Sequence, residues 1–445
     1  MNVRHPGRTA LLVGLGRTGV SCARHLARAG WSLAATDSRD VPPGRAEFQA
    51  LAPTARLQCG RLDAAMLTGV QLVVASPGVA LSEPILVAAR ERGIDVVGDI
   101  ELFARAATAP LIGITGTNGK STVTTLLGRM AERAGIRVKV GGNLGTPALD
   151  LLGDAGAQLY VLELSSFQLD TTHSLRLLAA TVLNVTPDHL DRYASVADYA
   201  ASKARIFARC GTAVINLDDP RVAAMASPQA RRTGFSLVSE TADYAVRPAG
   251  EGLWTLLRHG ERLLDSAQMR LSGRHNLANA LASVALGDAA GIPLPSMLAE
   301  LREFSGLPHR SQWVADLRGV RYVNDSKGTN VGATLAAIAG MPGTLLLIAG
   351  GDGKGQDFAP LAAAIRGKVR HVLLIGRDAA AVARAIEGAC SLELCADLVS
   401  AVQAAARHAR AGETVLLSPA CSSLDMFRDY SHRGDEFVSA VRRLN

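Results

Sequence analysis

At 445 residues the chain is too long for one ordinary core, and two to four domains of ~100–200 residues are expected. Its net charge of +7 is carried mainly by dispersed arginines with no aromatic-rich basic stripe; this argues against nucleic acid and for anionic, phosphorylated small molecules. No apolar run reaches the ~20 residues needed to cross a bilayer, and Met1-Asn-Val-Arg-His-Pro-Gly lacks the pattern of a signal peptide, so no membrane association and a cytoplasmic location are expected.

Short apolar runs alternate with helical periodicity, the pattern of βαβ units and parallel sheets. Three blocks follow: 1–98, 99–305 and 306–445. The first has strand-like runs at Ala10–Val13, Leu33–Thr36, Leu72–Ala75 and Asp95–Val97. The second opens with the strand Leu111–Thr115, carries a turn-rich β insert near 233–270 and ends in an Ala-rich helix. In the third, Arg321–Asn324, Thr344–Ala349, His371–Ile375, Leu392–Cys395 and Thr414–Leu417 read as strands, each followed by a helix. The fold class expected is α/β: three domains with mainly parallel sheets flanked by helices, the outer two Rossmann-like and the central one a P-loop mononucleotide-binding domain.

Gly14-Leu-Gly16-Arg-Thr-Gly19 follows the first strand and precedes a helix, and Asp37 ends the next strand. Glycines there let the backbone approach a pyrophosphate at a helix N-terminus. A dinucleotide satisfies this fingerprint, and so does UDP; an NAD-dependent oxidoreductase is therefore a rival reading. The segment Gly116-Thr117-Asn118-Gly119-Lys120-Ser121, between a strand and a helix, is more specific. Backbone N–H groups there cradle phosphates, Lys120 supplies a point charge, and the Ser121 hydroxyl can ligate Mg²⁺. Its frame, Gly113-x-x-Gly116-x-x-Gly119-Lys-Ser, departs from the commoner spacing. A phosphate loop needs an acid for its metal; Glu163 at the end of Leu159–Glu163 supplies one, and Asp188 and His189 leave another strand nearby.

Only six of the 47 basic residues are lysine: 120, 139, 203, 327, 354 and 368. A chain that otherwise uses arginine keeps lysine where a compact or deprotonatable amine is needed. Lys327 and Lys354 lie in the strand-exit segments Asn324-Asp325-Ser326-Lys327-Gly-Thr329-Asn330 and Gly350-Gly-Asp352-Gly-Lys354, and Ser418-Pro-Ala-Cys-Ser422-Ser423 follows the last strand. Such loops line one end of a sheet and would face the nucleotide domain across a cleft. The six cysteines lack CxxC spacing and read as reduced thiols.

Gly116-Thr-Asn-Gly-Lys-Ser, Glu163-Leu-Ser-Ser, Asn184 to His189, Gly306-Leu-Pro-His-Arg and Asn324-Asp-Ser-Lys, in that order, resemble the Mur ligases. These are ATP-dependent amide-bond ligases that build the peptide of bacterial peptidoglycan. Gly351-Asp-Gly-Lys354, Leu164-Ser-Ser-Phe-Gln-Leu and Ser418-Pro-Ala-Cys look most like the branch that adds D-glutamate to UDP-N-acetylmuramoyl-L-alanine. A sister ligase using a diamino acid, or a folylpolyglutamate synthase, would share the central block. The resemblance implies that the first domain binds UDP, the second ATP with two Mg²⁺ ions, and the third the amino acid, in a monomeric enzyme. By motif, Thr18, Asp37, Ser38, Arg39, Ser76, Pro77 and Gly78 would face UDP, and Asn143 and His189 the muramoyl-alanine end. Gly116 to Thr122, Asn276, Arg310 and Asp325 would serve ATP, with Ser121, Glu163, His189 and Lys203 around the metal. Thr329, Lys354, Ser423, Leu424 and Tyr430 would hold D-glutamate. Lys120, His189, Lys203 and Lys327 would be catalytic, Lys203 as a carbamate. Ser38 stands where the family commonly has Thr, and Tyr430 where Phe is expected.

Overall fold

The computed structural model describes residues 7–153, 156–225, 229–250, 252–271 and 273–444. Three sheets follow one another along the chain. The first contains β1 (Thr9–Val13), β2 (Ser32–Asp37), β3 (Arg56–Cys59), β4 (Leu72–Ala75) and β5 (Asp95–Val97), all parallel, in the order β3-β2-β1-β4-β5. Both faces are covered: Ala10 and Leu12 pack to one side, Leu11 and Val13 to the other, and all four are fully buried. That is why these strands read as continuous apolar runs rather than alternating ones.

The second sheet contains β6 (Leu111–Thr115), β7 (Val138–Gly142), β8 (Leu159–Glu163), β9 (Leu177–Val182), β10 (Cys210–Asn216), β11 (Arg231–Phe235), β12 (Tyr244–Pro248), β13 (Trp254–Arg258) and β14 (Glu261–Asp265). Its order is β14-β13-β12-β11-β10-β9-β6-β8-β7. The stretch from β7 to β12 is parallel, whereas β12, β13 and β14 form an antiparallel meander, the turn-rich insert expected near 233–270. The third contains β15 (Gln312–Leu317), β16 (Val320–Asn324), β17 (Leu345–Gly350), β18 (Val369–Ile375), β19 (Ser391–Leu394) and β20 (Thr414–Leu417), in the order β15-β16-β20-β17-β18-β19. Only its β15–β16 pair is antiparallel.

Each sheet reverses its winding at one place, and ligands of open α/β sheets bind at the carboxyl ends of strands there. The switch lies at β1/β4 in the first sheet, around β6 in the second and around β20 in the third. The phosphate-type motifs leave these same strands. The first two sheets are not separate cores: Ile100, Leu102 and Phe103, on the helix Asp99–Ala106, join the buried side chains of β1 and β2 to those of β8 and β9. Among the described residues no helix is long and apolar enough to cross a membrane, and all six cysteines are free thiols.

Candidate active site

β1 runs into Gly14, whose φ of 98° suits glycine, and the helix Arg17–Arg28 begins at once. A Cβ on Gly19 would lie 2.1 Å from the Gly14 carbonyl oxygen, so only glycine lets the helix start this close to the turn. All seven residues expected to face UDP line one cavity here, together with Asn143 and Gln168 from the central domain. Asp37 does not present a free carboxylate. Its oxygens accept from the Leu15 N–H (2.7 Å), the Arg39 N–H (2.9 Å) and the Arg39 guanidinium (2.8 and 2.7 Å). These four bonds use up its acceptor sites and hold its pKa below the ordinary carboxylate value against the opposing effect of burial. Asp37 therefore positions the glycine loop and Arg39.

The phosphate loop leaves β6 through Gly116 and Gly119, both at positive φ, and feeds the helix Lys120–Arg133. Its first turn has no side-chain cap, so its backbone donors face the loop. Gly113 is no part of this cradle: it sits inside β6, where a Cβ would strike Leu177 and Ile206. Asn184, just beyond β9, fastens the loop through two acceptors: its carbonyl takes the Thr117 N–H (2.9 Å) and its amide oxygen the Asn118 N–H (2.8 Å). Lys120 Nζ donates to the Gly116 and Thr117 carbonyls (2.8 and 2.9 Å).

Glu163 is buried at the end of β8. Its Oε1 accepts from the Asn143 amide (2.7 Å), while its Oε2 receives no hydrogen bond from any described residue. Burial raises its pKa, but Lys120, Ser121, Asn143 and Arg310 more than offset this and hold it below the ordinary carboxylate value. His189 lies over Phe167 and near Tyr199, and burial with the lysines around it holds its pKa below 6.5 despite Asp188. Lys203, 1 % exposed, donates to the Gly116 carbonyl (3.0 Å) and sits over the Tyr199 ring (4.3 Å). Burial and neighbouring Lys120 push its pKa well below 10.5.

The third domain closes this centre. Arg310 Nη2 donates to Ser121 Oγ (2.6 Å), and Asn330 reaches Asp188 (3.2 Å) and Asn118 (3.4 Å). A cavity between the domains is lined by Asn118, Gly119, Thr122 and Asn276 on one side and by Arg310, Asp325 and Lys327 on the other. Asp325, pushed up to about 6 by burial, is held by the Ser311 N–H (3.0 Å) and the Ser418 hydroxyl (2.8 Å). Lys327 Nζ stands over the Tyr430 ring (3.7 Å). Burial, with Arg310 and Lys120 close by, lowers its pKa to about 7. A bridge between Asp352 and Ser422 sets the Lys354 loop beside buried Ser423; Leu424 is exposed at the rim, and Thr329 follows Lys327 in the same tight loop. Four of the six lysines thus act on one another's surroundings: 120, 203 and 354 all bear on His189, and 120 and 354 on Lys327.

Family models match along the chain in order: Mur ligase MurD-like N-terminal domain over residues 8–98, Mur ligase middle domain over 114–287, and Mur ligase glutamate ligase domain over 309–421. A UDP-N-acetylmuramoylalanine–D-glutamate ligase of Nitrosococcus oceani is 52% identical over 439 residues, covering 98% of this chain and 97% of that protein. The chain belongs to the Mur ligase family. A relative of the same name from Pseudomonas aeruginosa is 47% identical, with 98% of each chain covered. The fold is shared with more distant solved structures. A pseudomurein peptide ligase type C from Methanothermus fervidus has a TM-score of 0.65 at 14% identity, covering 98% of this chain and all of that one. A MurF ligase from Thermotoga maritima, in complex with ADP, has a TM-score of 0.62 at 15% identity, covering 99% and 98%.

Within this Mur ligase several residues do work that motif reading left unassigned. Gln168 lines the first cavity and donates to buried Asp99 (2.9 Å), tying the cavity floor to the start of the helix Asp99–Ala106. Arg433, 1 % exposed, binds the Ser326 hydroxyl (3.0 Å), the Ser326 carbonyl (2.8 Å) and the Cys421 carbonyl (3.2 Å), so it joins the loops after β16 and β20. One signal was present: Arg433 shares a helical face with Phe437, Ala440 and Val441, where an arginine is out of place unless it is anchored.

The lowered pKa of Lys327 has a measurable sign. Between about 7 and 10.5 the unfolded chain binds more protons than the folded one, so stability rises with pH across that window. The penalty is full below about 7. Lys327→Met should raise the Tm of the ligand-free protein near pH ~6, by roughly 1 °C for each ~1 kcal/mol relieved in a chain of this length. The gain should shrink towards pH ~10. A gain that is the same at both ends would show that the lysine's charge is not its source.

Proposed function

We propose that this chain joins D-glutamate to UDP-N-acetylmuramoyl-L-alanine at the expense of ATP, through an acyl phosphate. The observation that carries the reading is the gathering of Lys120, Lys203, Lys327 and Lys354 around Glu163 and His189, in a chain that otherwise spends arginine on positive charge. The full-length relatives are named for this reaction. Residues 1–98 hold the UDP group, 99–305 the ATP and 306–445 the amino acid. The enzyme acts as a cytoplasmic monomer, apart from nucleic acid and membrane.

A carboxylate is a poor acyl donor. Its attack on the γ-phosphoryl group of ATP converts it to an acyl phosphate and releases ADP; the amine of D-glutamate then attacks, and the tetrahedral intermediate expels phosphate. Both steps crowd anionic oxygens together, and fixed cations that need no reorganisation lower their barriers. Lys120 leaves its two carbonyl partners for the β- and γ-phosphates. Arg310, reaching across from the third domain, adds charge when the cleft is closed. Ser121 and Glu163 Oε2, which has no hydrogen-bond partner among the described residues, would hold one Mg²⁺, and His189 with a carbamate on Lys203 would hold a second. When bound, such ions would supply charge neutralisation to the phosphoryl oxygens. Asn143, held by Glu163, orients the muramoyl-alanine end. Lys327, with a pKa lowered to about 7, can take the proton that the attacking ammonium must lose.

Phosphate release measured with UDP-N-acetylmuramoyl-L-alanine and amino acids supplied singly tests the whole reading. D-glutamate alone should support turnover. Release with a diamino acid instead would move the chain to a sister activity, and release with a folate substrate to the folylpolyglutamate synthases. Lys354 bears on the same choice. A compact ammonium beside Ser423 and Thr329 suits the distal carboxylate of D-glutamate, so Lys354→Ala should raise the KM for D-glutamate by roughly 10–100-fold, the loss of a charge-assisted hydrogen bond worth ~1.5–3 kcal/mol. The KM for ATP should change little. Equal rises in both would assign Lys354 to the nucleotide.

A further inference from the structure

A second cluster of ligand-type side chains lies on the outer flank of the third sheet. His371 stands near the start of β18, Glu393 on the edge strand β19, and His408 is the last residue of the helix Leu398–His408. Because Leu373 pairs with Glu393 and side chains alternate along a strand, His371 and Glu393 share the face on which that helix packs. The catalytic loops leave the opposite, carboxyl ends of β16, β17 and β20.

We propose that His371, Glu393 and His408 form a site for a divalent cation of borderline softness, and that its ion is Zn²⁺. The two imidazoles are stacked, with centroids 4.3 Å apart and planes 23° from parallel, so their Nε2 atoms converge on one carboxylate oxygen. His408 Nε2 lies 3.1 Å and His371 Nε2 4.0 Å from Glu393 Oε2, and all three ligand atoms fall within 4.8 Å of one another. Nitrogen and oxygen ligands held at ~2.0–2.2 Å around tetrahedral zinc sit roughly 3.3 Å apart, so small side-chain rotations complete the geometry.

The independent observation is His371 itself. It is 9 % exposed, and its Nε2 is buried with no hydrogen-bond partner among the described residues. A buried ring nitrogen aimed at a carboxylate but too far to bond it lacks a partner that a cation between them would supply. Two nitrogens and one oxygen favour Zn²⁺ over Mg²⁺, which prefers all-oxygen shells. His408 and Glu393 are partly exposed, leaving room for water as a further ligand.

The surrounding charges permit this. Arg370 is engaged by Glu413 (2.8 and 2.7 Å) and by the His408 carbonyl (2.6 Å), which fixes the end of the helix. Arg407 lies 3.8 Å from the other oxygen, Glu393 Oε1, and leaves Oε2 to the histidines.

The test uses the full-length protein, stripped of metal by chelation and then saturated with Mg²⁺ and ATP to occupy the catalytic centre. Zinc chloride is titrated calorimetrically, and Co²⁺ is added in parallel for its visible absorption. One Zn²⁺ per chain should bind, raising the Tm, and Co²⁺ should give the bands of a tetrahedral site. His408→Gln and Glu393→Gln, both at partly exposed positions, should each weaken Zn²⁺ at least ~10–100-fold while ligation proceeds at the parent rate. Parent-like ligation also establishes that the variants are folded. Equal Zn²⁺ affinity in parent and variants, or no saturable binding to the parent, would overturn the proposal.

Discussion

Lys120→Ala is expected to lose ATP turnover by at least ~10²–10³-fold, the usual effect of removing one preorganised charge from a transition state. The fold should survive. Among the described residues Lys120 donates only to two carbonyls of its own loop, Gly116 and Thr117, and burial already lowers its pKa, so the side chain is poorly solvated without a triphosphate. Stability therefore offers no reason to keep it, whereas an unneutralised γ-phosphoryl group raises the barrier directly. Lys120→Arg should rescue little, because a planar guanidinium cannot occupy the position of a compact ammonium against the Gly116 carbonyl. Phosphate release and Tm, measured on the same preparations, separate the two effects. Near-parent release from folded Lys120→Ala would remove the phosphate-loop assignment.

Much of the architecture was legible because strands covered on both faces carry their signal in composition alone. Leu345–Gly350, Leu111–Thr115 and Leu159–Glu163 are buried along their whole length and stand out as apolar runs. Three edge strands were not legible, although the edges β5 and β19 were read as Asp95–Val97 and Leu392–Cys395. β3, β7 and β15 carry half-exposed residues, and β7 ends in two glycines, so neither period nor propensity marks them. The site motifs were legible for a related reason: glycines, lysines and acids at strand exits keep their local spacing whatever surrounds them. What joins the motifs was not. Arg310 meets Ser121 across 189 residues of sequence, and Asn330 meets Asp188 across 142. Asp37 lines the first cavity, but the four hydrogen bonds that turn its carboxylate inward come from Leu15 and Arg39 and follow from loop conformation. The boundary between the first two blocks is likewise clear as a change of motif, yet Ile100 and Phe103 run one apolar core through it.

Lys203→Arg is the second large effect expected, a loss of ligation of roughly 10²–10³-fold with charge and approximate length retained. In the segment Val196–Ala204 a lysine could simply be a solvated helix cation. The surroundings of Lys203 are of another kind. It is almost fully buried, and its hydrogen-bond acceptor is a neutral backbone carbonyl, that of Gly116 in the phosphate loop. Tyr199 lies under its ammonium, and Lys120 repels it. Burial is the largest of these influences, and with Lys120 it outweighs Asp188, Glu163 and Asp170, so the pKa falls well below 10.5. A neutral amine is the form that adds CO₂, and the resulting carbamate is an anion where the site now has an excess of cations. An anionic oxygen there would share a metal with His189, whose pKa burial and the neighbouring lysines lower. Arginine cannot form the adduct, and its guanidinium would put a fixed charge into a space that disfavours one. Three measurements bear on the same point: ligation rate, the extra mass of one CO₂ on the parent under mild conditions, and the response of activity to added bicarbonate. The parent should carry the adduct and respond; Lys203→Arg should do neither. If the arginine variant ligates as fast as the parent, Lys203 is only a cation and the carbamate has no part in the reaction.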